Sequence, residues 1–201
     1  MAIQRQGGAA TPPDAAIWRL SVAQYHQMVR SGILTDDDPV ELLEGLLVAK
    51  MPKNPPHRLA TQLTCAALSA TLPAGWYVDA QEPITLADSE PEPDVAVIRG
   101  ERRGYSDRHP GPADVGLVVE VSDTTLQRDR SIKQRLYAAA EIGCYWILNL
   151  VEGQIEVYSA PSGPTAEPRY GQRHDYLRGE RVPLLLNGLP IAELAVEALL
   201  P

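Results

Sequence analysis

Residues 115–122, VGLVVEVS, constrain this chain more than any other stretch. Leu117, Val118, Val119 and Val121 leave neither face of a strand polar, so the strand belongs inside a sheet that is covered on both sides. Residues 128–142 then change to a helical period through Ile132, Leu136, Ala139 and Ala140, and Gly143 supplies a stop. A doubly buried strand followed by a helix calls for helices packed on a sheet. One residue breaks the apolar run. Glu120 carries a carboxylate into it, and desolvating that group is costly unless a cation, a metal ion or a donor array meets it.

The rest of the chain supplies the other elements. Ser21 offers an N-cap to VAQYHQMVRSGIL, a short amphipathic helix, and VELLEGLLVAKM reads as a hairpin turning near Glu44-Gly45. Residues 57–72 carry Leu59, Leu63, Ala66, Ala67 and Ala70 at helical spacing. WYVDAQEPITL, DVAVIRG and VGLVVEVS are successive strand candidates, and CYWILNL and QIEVYSA follow as strands around Glu152-Gly153. SAPSGPTAEPRYGQ reads as a loop, YLRGERVPL as a further hairpin and IAELAVEALL as a closing helix. The fold class expected is α/β, in the mixed-sheet (α+β) sense: a central mixed sheet flanked by helices. The 201 residues suit a single domain over 17–201, with 1–16 as a flexible arm rich in Gly, Ala and Pro.

Composition removes several functional classes. A net charge of -8 weighs against a protein that coats nucleic acid, although it permits local binding beside a bound cation. No apolar run approaches the roughly 18–20 residues that span a bilayer, and the first residues lack a signal-peptide core, so a cytoplasmic protein is expected. Cys65 and Cys144 sit in apolar contexts that suit buried thiols. Asp36-Asp37-Asp38-Pro39 is a polar turn without the spacing of a calcium loop. Aromatic content of 5% is thin for a carboxylate-pair glycosidase, and phosphate-loop, dinucleotide and nucleophile-elbow motifs are missing from the sequence.

Three residues gather around the question of Glu120. Asp94, after Pro91 and Pro93, opens the apolar DVAVI strand as Glu120 closes its own; their separation of 26 residues leaves room for a loop and an antiparallel neighbour. Asp129, Lys133 and Tyr137 fall at i, i+4 and i+8, a stripe that aims Lys133 at the strand end holding Glu120. Glu44 is a further acid set among leucines. Oxygen ligands of this kind suit Mg²⁺, with Mn²⁺ as a substitute, and acid, lysine and a divalent ion are the parts of a phosphodiester hydrolase. A purely structural Glu120–Lys133 ion pair is the competing reading.

Pro93-Asp94 followed by an apolar strand ending in Glu120-Val121-Ser122 resembles the PD-(D/E)XK nuclease superfamily. ELLEG at 41–45, PPH at 55–57, QEPI at 81–84, EPD at 92–94, VVEVSDTTLQRDRSIKQRLYA at 118–138 and GCYWILNL are similar to its Uma-two branch, over roughly residues 20–195. The resemblance implies a restriction-endonuclease-like core, a Mg²⁺-dependent endonuclease site and a homodimer. It makes Asp94 and Glu120 metal ligands, with the carbonyl of Val121 as a third. Ser122 stands where the superfamily usually has its lysine; in this branch the lysine lies in the following helix, at Lys133, which agrees with the stripe. Glu44 matches the acid of the branch's early motif.

His57, Gln81, Arg128 and Arg130 are candidate substrate-binding residues, and Tyr137 reads as packing. Arg99, Arg102, Arg103, Arg108 and Arg135 add to a local DNA-facing patch. The expected function is a metal-dependent DNA endonuclease in which Asp94 and Glu120 hold the ion, Lys133 assists the attacking water and Glu44 supports the site. RNA remains open as a substrate. The alternative is a nuclease-fold scaffold that no longer cuts.

Overall fold

The computed structural model describes residues 16–35 and 37–201. The N-terminal arm, apart from Ala16, and Asp36 of the polar turn lie outside them. Ser21 caps helix α1 (Val22–Arg30) through a capping box with Gln24. Strands β1 (Val40–Leu43) and β2 (Leu46–Ala49) form the expected hairpin. Its turn residues Glu44 and Gly45 have φ of 48° and 75°, the left-handed pair of a tight two-residue turn. Gly45 is required there because a Cβ would lie 2.6 Å from that of Arg19. Helix α2 (Pro55–Thr71) starts at Asn54, whose side chain accepts from the His57 amide, and two prolines fill its first positions.

The central sheet runs β3 (Trp76–Asp79), β4 (Val95–Arg99), β5 (Val115–Ser122), β6 (Cys144–Asn149), β7 (Gln154–Pro161) and β8 (Tyr170–Leu177), in that spatial order. Only β5 and β6 are parallel; every other pair is antiparallel. The expected mixed sheet is therefore observed. All eight residues of β5 are buried, as its composition requires. One face carries Val95, Val97, Leu117, Val119 and Val121 against α2 and the C-terminal segment. The other carries Ala96, Ile98, Val118, Tyr145 and Ile147 beneath the helical connection from β5 to β6. That connection is composite: α3 (Leu126–Arg128), a π-helical turn (Asp129–Lys133) and α4 (Gln134–Ala139).

Two expectations at the C-terminus are corrected. Residues 189–195 form a strand, β10 (Leu189–Ala195), paired with β9 (Arg181–Leu186), and only Val196–Ala198 is helical, as a short 3₁₀ turn. The decisive local signal is Asn187-Gly188, with φ of 52° and 76°, a hairpin dipeptide between two apolar runs. For the same reason YLRGERVPL is not a hairpin: β9 pairs with β10 and leaves β8 as a sheet edge. The β6–β7 connection is likewise longer than expected, spanning residues 150–153.

A second buried acid lies on the helix-covered face. Glu156, fully buried, accepts from Arg130 Nε at 3.1 Å, Asn149 Nδ2 at 2.8 Å and Tyr158 OH at 2.7 Å. Burial opposes its charge, but these donors outweigh that and hold its carboxyl below the usual range. Glu156→Ala is expected to cost about 2–3 kcal/mol in urea unfolding, the value of lost hydrogen bonds to a charged group. An unchanged unfolding midpoint would contradict this role.

Candidate active site

Strands β4 and β5 bring the first two acids together. Val95 pairs with Val119, so one further antiparallel step sets Asp94 beside Glu120 at one end of the sheet. Asp94 Oδ2 accepts from the Val121 amide at 2.9 Å, and both carboxylates are buried. The helical connection then folds back over this strand end. Ser122 Oγ and Thr125 Oγ1 donate to Asp129 Oδ2 at 2.7 and 2.6 Å, tying the first residue of the π-turn to β5. Asp129, Lys133 and Tyr137 all end up buried. Lys133 Nζ lies 2.7 Å from Glu41 Oε2 and 3.2 Å from Glu120 Oε1. The Tyr137 hydroxyl donates to Glu120 Oε1 at 2.6 Å, so this side chain also orients the acid.

Charge in the cluster is unbalanced. Glu41, Asp94, Glu120 and Asp129 surround one buried ammonium, Lys133. Burial pushes the Glu120 carboxyl up to about 8; Lys133 acts against that, while Asp129, Asp94 and Glu41 reinforce it. For Lys133 burial disfavours the charge, but Glu120 and Glu41 outweigh it and hold the ammonium above its ordinary value. Burial likewise raises Asp129 against the pull of Thr125 and Ser122.

These groups line a cleft of about 70 Å³ that also reaches Lys53, Asn54, His57, Gln81 and Arg128. His57 Nε2 is 3.1 Å from Asp94 Oδ2 and Lys53 Nζ is 3.9 Å from Asp94 Oδ1. Gln81 borders the cleft with φ of 61°. Val121 borders it as well, next to the acids.

Glu44 does not join this group. It occupies the β1–β2 turn, and Arg135 holds it with two bonds of 2.6 and 2.7 Å; these lower its carboxyl despite some burial. The acid that the hairpin sends to Lys133 is Glu41, which the sequence reading passed over. Its signal was position: Glu41 lies inside strand β1 beside Leu42 and Leu43, all three buried, whereas Glu44 is a turn residue. Arg130 is also elsewhere, occupied by Glu156 and, at 3.0 Å, by Glu152. Three of the other arginines have local partners. Arg99 lies over Trp76, Arg102 over Tyr77 and near Asp79, and Arg108 pairs with Asp114 at 2.8 Å. Only Arg128 of the expected basic patch borders the cleft.

The donor set can be tested against a metal ion. Asp94 and Glu120 offer hard oxygens beside an excess of negative charge, which suits a divalent cation. Among the described residues no three His, Cys, Asp or Glu side chains form a full metal cage. An ion here would thus be held by one or two carboxylates and complete its shell with other oxygens, as Mg²⁺ does. The residues fit such an ion and do not suit zinc, which favours His and Cys.

The Uma2 family model, described as "putative restriction endonuclease", matches residues 22–197. Among solved structures, a protein from Anabaena variabilis described as a "putative nuclease belonging to DUF820" superposes with a TM-score of 0.60 at 14% identity, covering 84% of this chain and 94% of that one. Likeness at this identity establishes the fold that the two proteins share. No curated protein sequence matches the chain. Among the described residues no helix is long and apolar enough to cross a membrane.

Proposed function

Since the chain belongs to the Uma2 family of restriction-endonuclease-like proteins, we propose that the cleft is the active site of a Mg²⁺- or Mn²⁺-dependent endonuclease that hydrolyses phosphodiester bonds in DNA. The observation that carries this reading is the buried Lys133, held between Glu41 and Glu120 at the strand end beside Asp94. Asp94, Glu120 and the Val121 carbonyl are the proposed ligands. A divalent ion held there supplies Lewis-acid polarisation of the phosphoryl oxygen and offsets charge on the leaving oxygen.

The chain's own groups have separable tasks. An ammonium has three donors; Lys133 gives one to Glu41 and stays at ion-pair distance from Glu120, which leaves donors for an oxygen of the attacking water or the phosphate. Glu41 orients Lys133, and Tyr137 fixes the Glu120 carboxyl. Ser122, in the usual lysine position, instead anchors Asp129 and with it the π-turn that delivers Lys133. Burial of the cluster strengthens each of these contacts relative to water.

The test is cleavage of plasmid, single-stranded DNA and RNA by purified protein with Mn²⁺. Wild type is expected to cleave DNA, and Asp94→Asn to lose about 10²–10³-fold in rate, the scale of removing one preorganised electrostatic contact. Equal rates in the two proteins would mean a contaminating nuclease. Mn²⁺ binding without cleavage of any of the three would favour the silent scaffold.

A further inference from the structure

Basic groups on the cleft are as unusual as its acids. Among the described residues four buried side-chain atoms lack a hydrogen-bond partner, and two of them, Arg128 Nε and His57 Nδ1, belong to residues lining this cleft. Buried polar groups are nearly always paired, so such orphans need an explanation. Arg128 is also the exception among its neighbours. Arg130 and Arg135 fork onto carboxylates, whereas Arg128 makes no ion pair among the described residues and one hydrogen bond, to the Ala49 carbonyl at 3.3 Å. Lys53, half-exposed, reaches no closer than 3.9 Å to Asp94.

We propose that Arg128, Lys53 and His57 form a phosphate-binding arm of the cleft that works without a metal ion. The identity of the ligand rests on the nuclease reading. A guanidinium presents forked donors that match phosphate oxygens, and a lysine adds a point charge. Helix α2 borders the same cleft through Asn54 and His57, so its N-terminal dipole adds to the attraction for an anion. The arm thereby supplies what the acids lack, a hold on the anionic substrate that opposes their repulsion and seats the phosphate next to Lys133.

The experiment is calorimetric titration of inorganic phosphate into the full chain in EDTA at fixed low ionic strength, with a parallel Mn²⁺ titration without chelator. To reduce acidic repulsion, the phosphate series uses an Asp94→Asn background. Arg128→Ala is expected to weaken phosphate binding about ten- to a hundredfold, the scale of a charged hydrogen bond, with partial recovery in Arg128→Lys. Arg128→Ala alone should leave Mn²⁺ affinity unchanged. If it unfolds, Arg128→Gln and Lys53→Ala carry the same comparison, with Lys53→Ala expected to lose a smaller factor. Equal phosphate affinity with and without Arg128, or no phosphate binding at all, overturns the arm even if Mn²⁺ binds. Arg128-dependent phosphate binding in a chain that does not bind Mn²⁺ supports the arm and overturns the metal-nuclease reading alone.

Discussion

Lys133→Met is expected to destabilise the protein by about 3–5 kcal/mol, because it leaves Glu41 and Glu120 buried around an apolar side chain. Both carboxylates are almost fully buried, so water cannot easily replace the ammonium. Urea unfolding measures the loss. A folding defect alone would say nothing about mechanism, so the informative protein is Lys133→Met combined with Glu41→Gln. Removing the Glu41 carboxylate, 2.7 Å from Nζ, should restore much of the stability while cleavage stays at least about 10²-fold below wild type. Wild-type cleavage in that folded double variant would take Lys133 out of the mechanism.

Glu120 governs the second large effect, which appears as a pH dependence. Its folded-state carboxyl is raised from 4.5 to about 8. Between those values the folded chain binds a proton that the unfolded chain has released. Stability of the metal-free protein should therefore fall as pH rises from about 4.5 to 8, by up to about 1.4 kcal/mol per unit. Glu120→Gln should remove that part of the slope. Only the ionised acid serves as a ligand, so Mn²⁺ should flatten the slope in wild type, and its binding near neutral pH should release protons. Calorimetry in two buffers of different ionisation enthalpy counts them. No proton release, together with the same slope in Glu120→Gln, would show that Glu120 neither titrates in this window nor ligates.

Particular residues mark where sequence was sufficient. The eight-residue β5, apolar on both faces, could only be central, and Glu44-Gly45 could only be a turn. Pro93-Asp94 and Glu120 were placed at opposite chain ends of neighbouring strands, and antiparallel register makes those one edge. Each inference used short-range information: period, turn chemistry and the polarity of a single position. The C-terminal segment failed because IAELAVEALL fits a helical period, while Asn187-Gly188 just before it fixes a hairpin.

Sequence by itself thus determined the elements, the class of sheet and the presence of buried acids requiring a partner. Tertiary structure alone decided which acid meets which cation. Glu41 and Glu44 sit three residues apart on one hairpin, and Lys133 and Arg135 two apart on one helical segment. Either acid is available to either cation by composition. Strand β1 buries Glu41 together with both of its leucines and leaves Glu44 at the turn; the π-turn, pinned to β5 by Ser122 and Thr125, buries Lys133 and leaves Arg135 near the surface. Those contacts span more than ninety residues. They depend on how two separately legible elements are rotated against one sheet, and packing sets that rotation where local propensity has no hold on it.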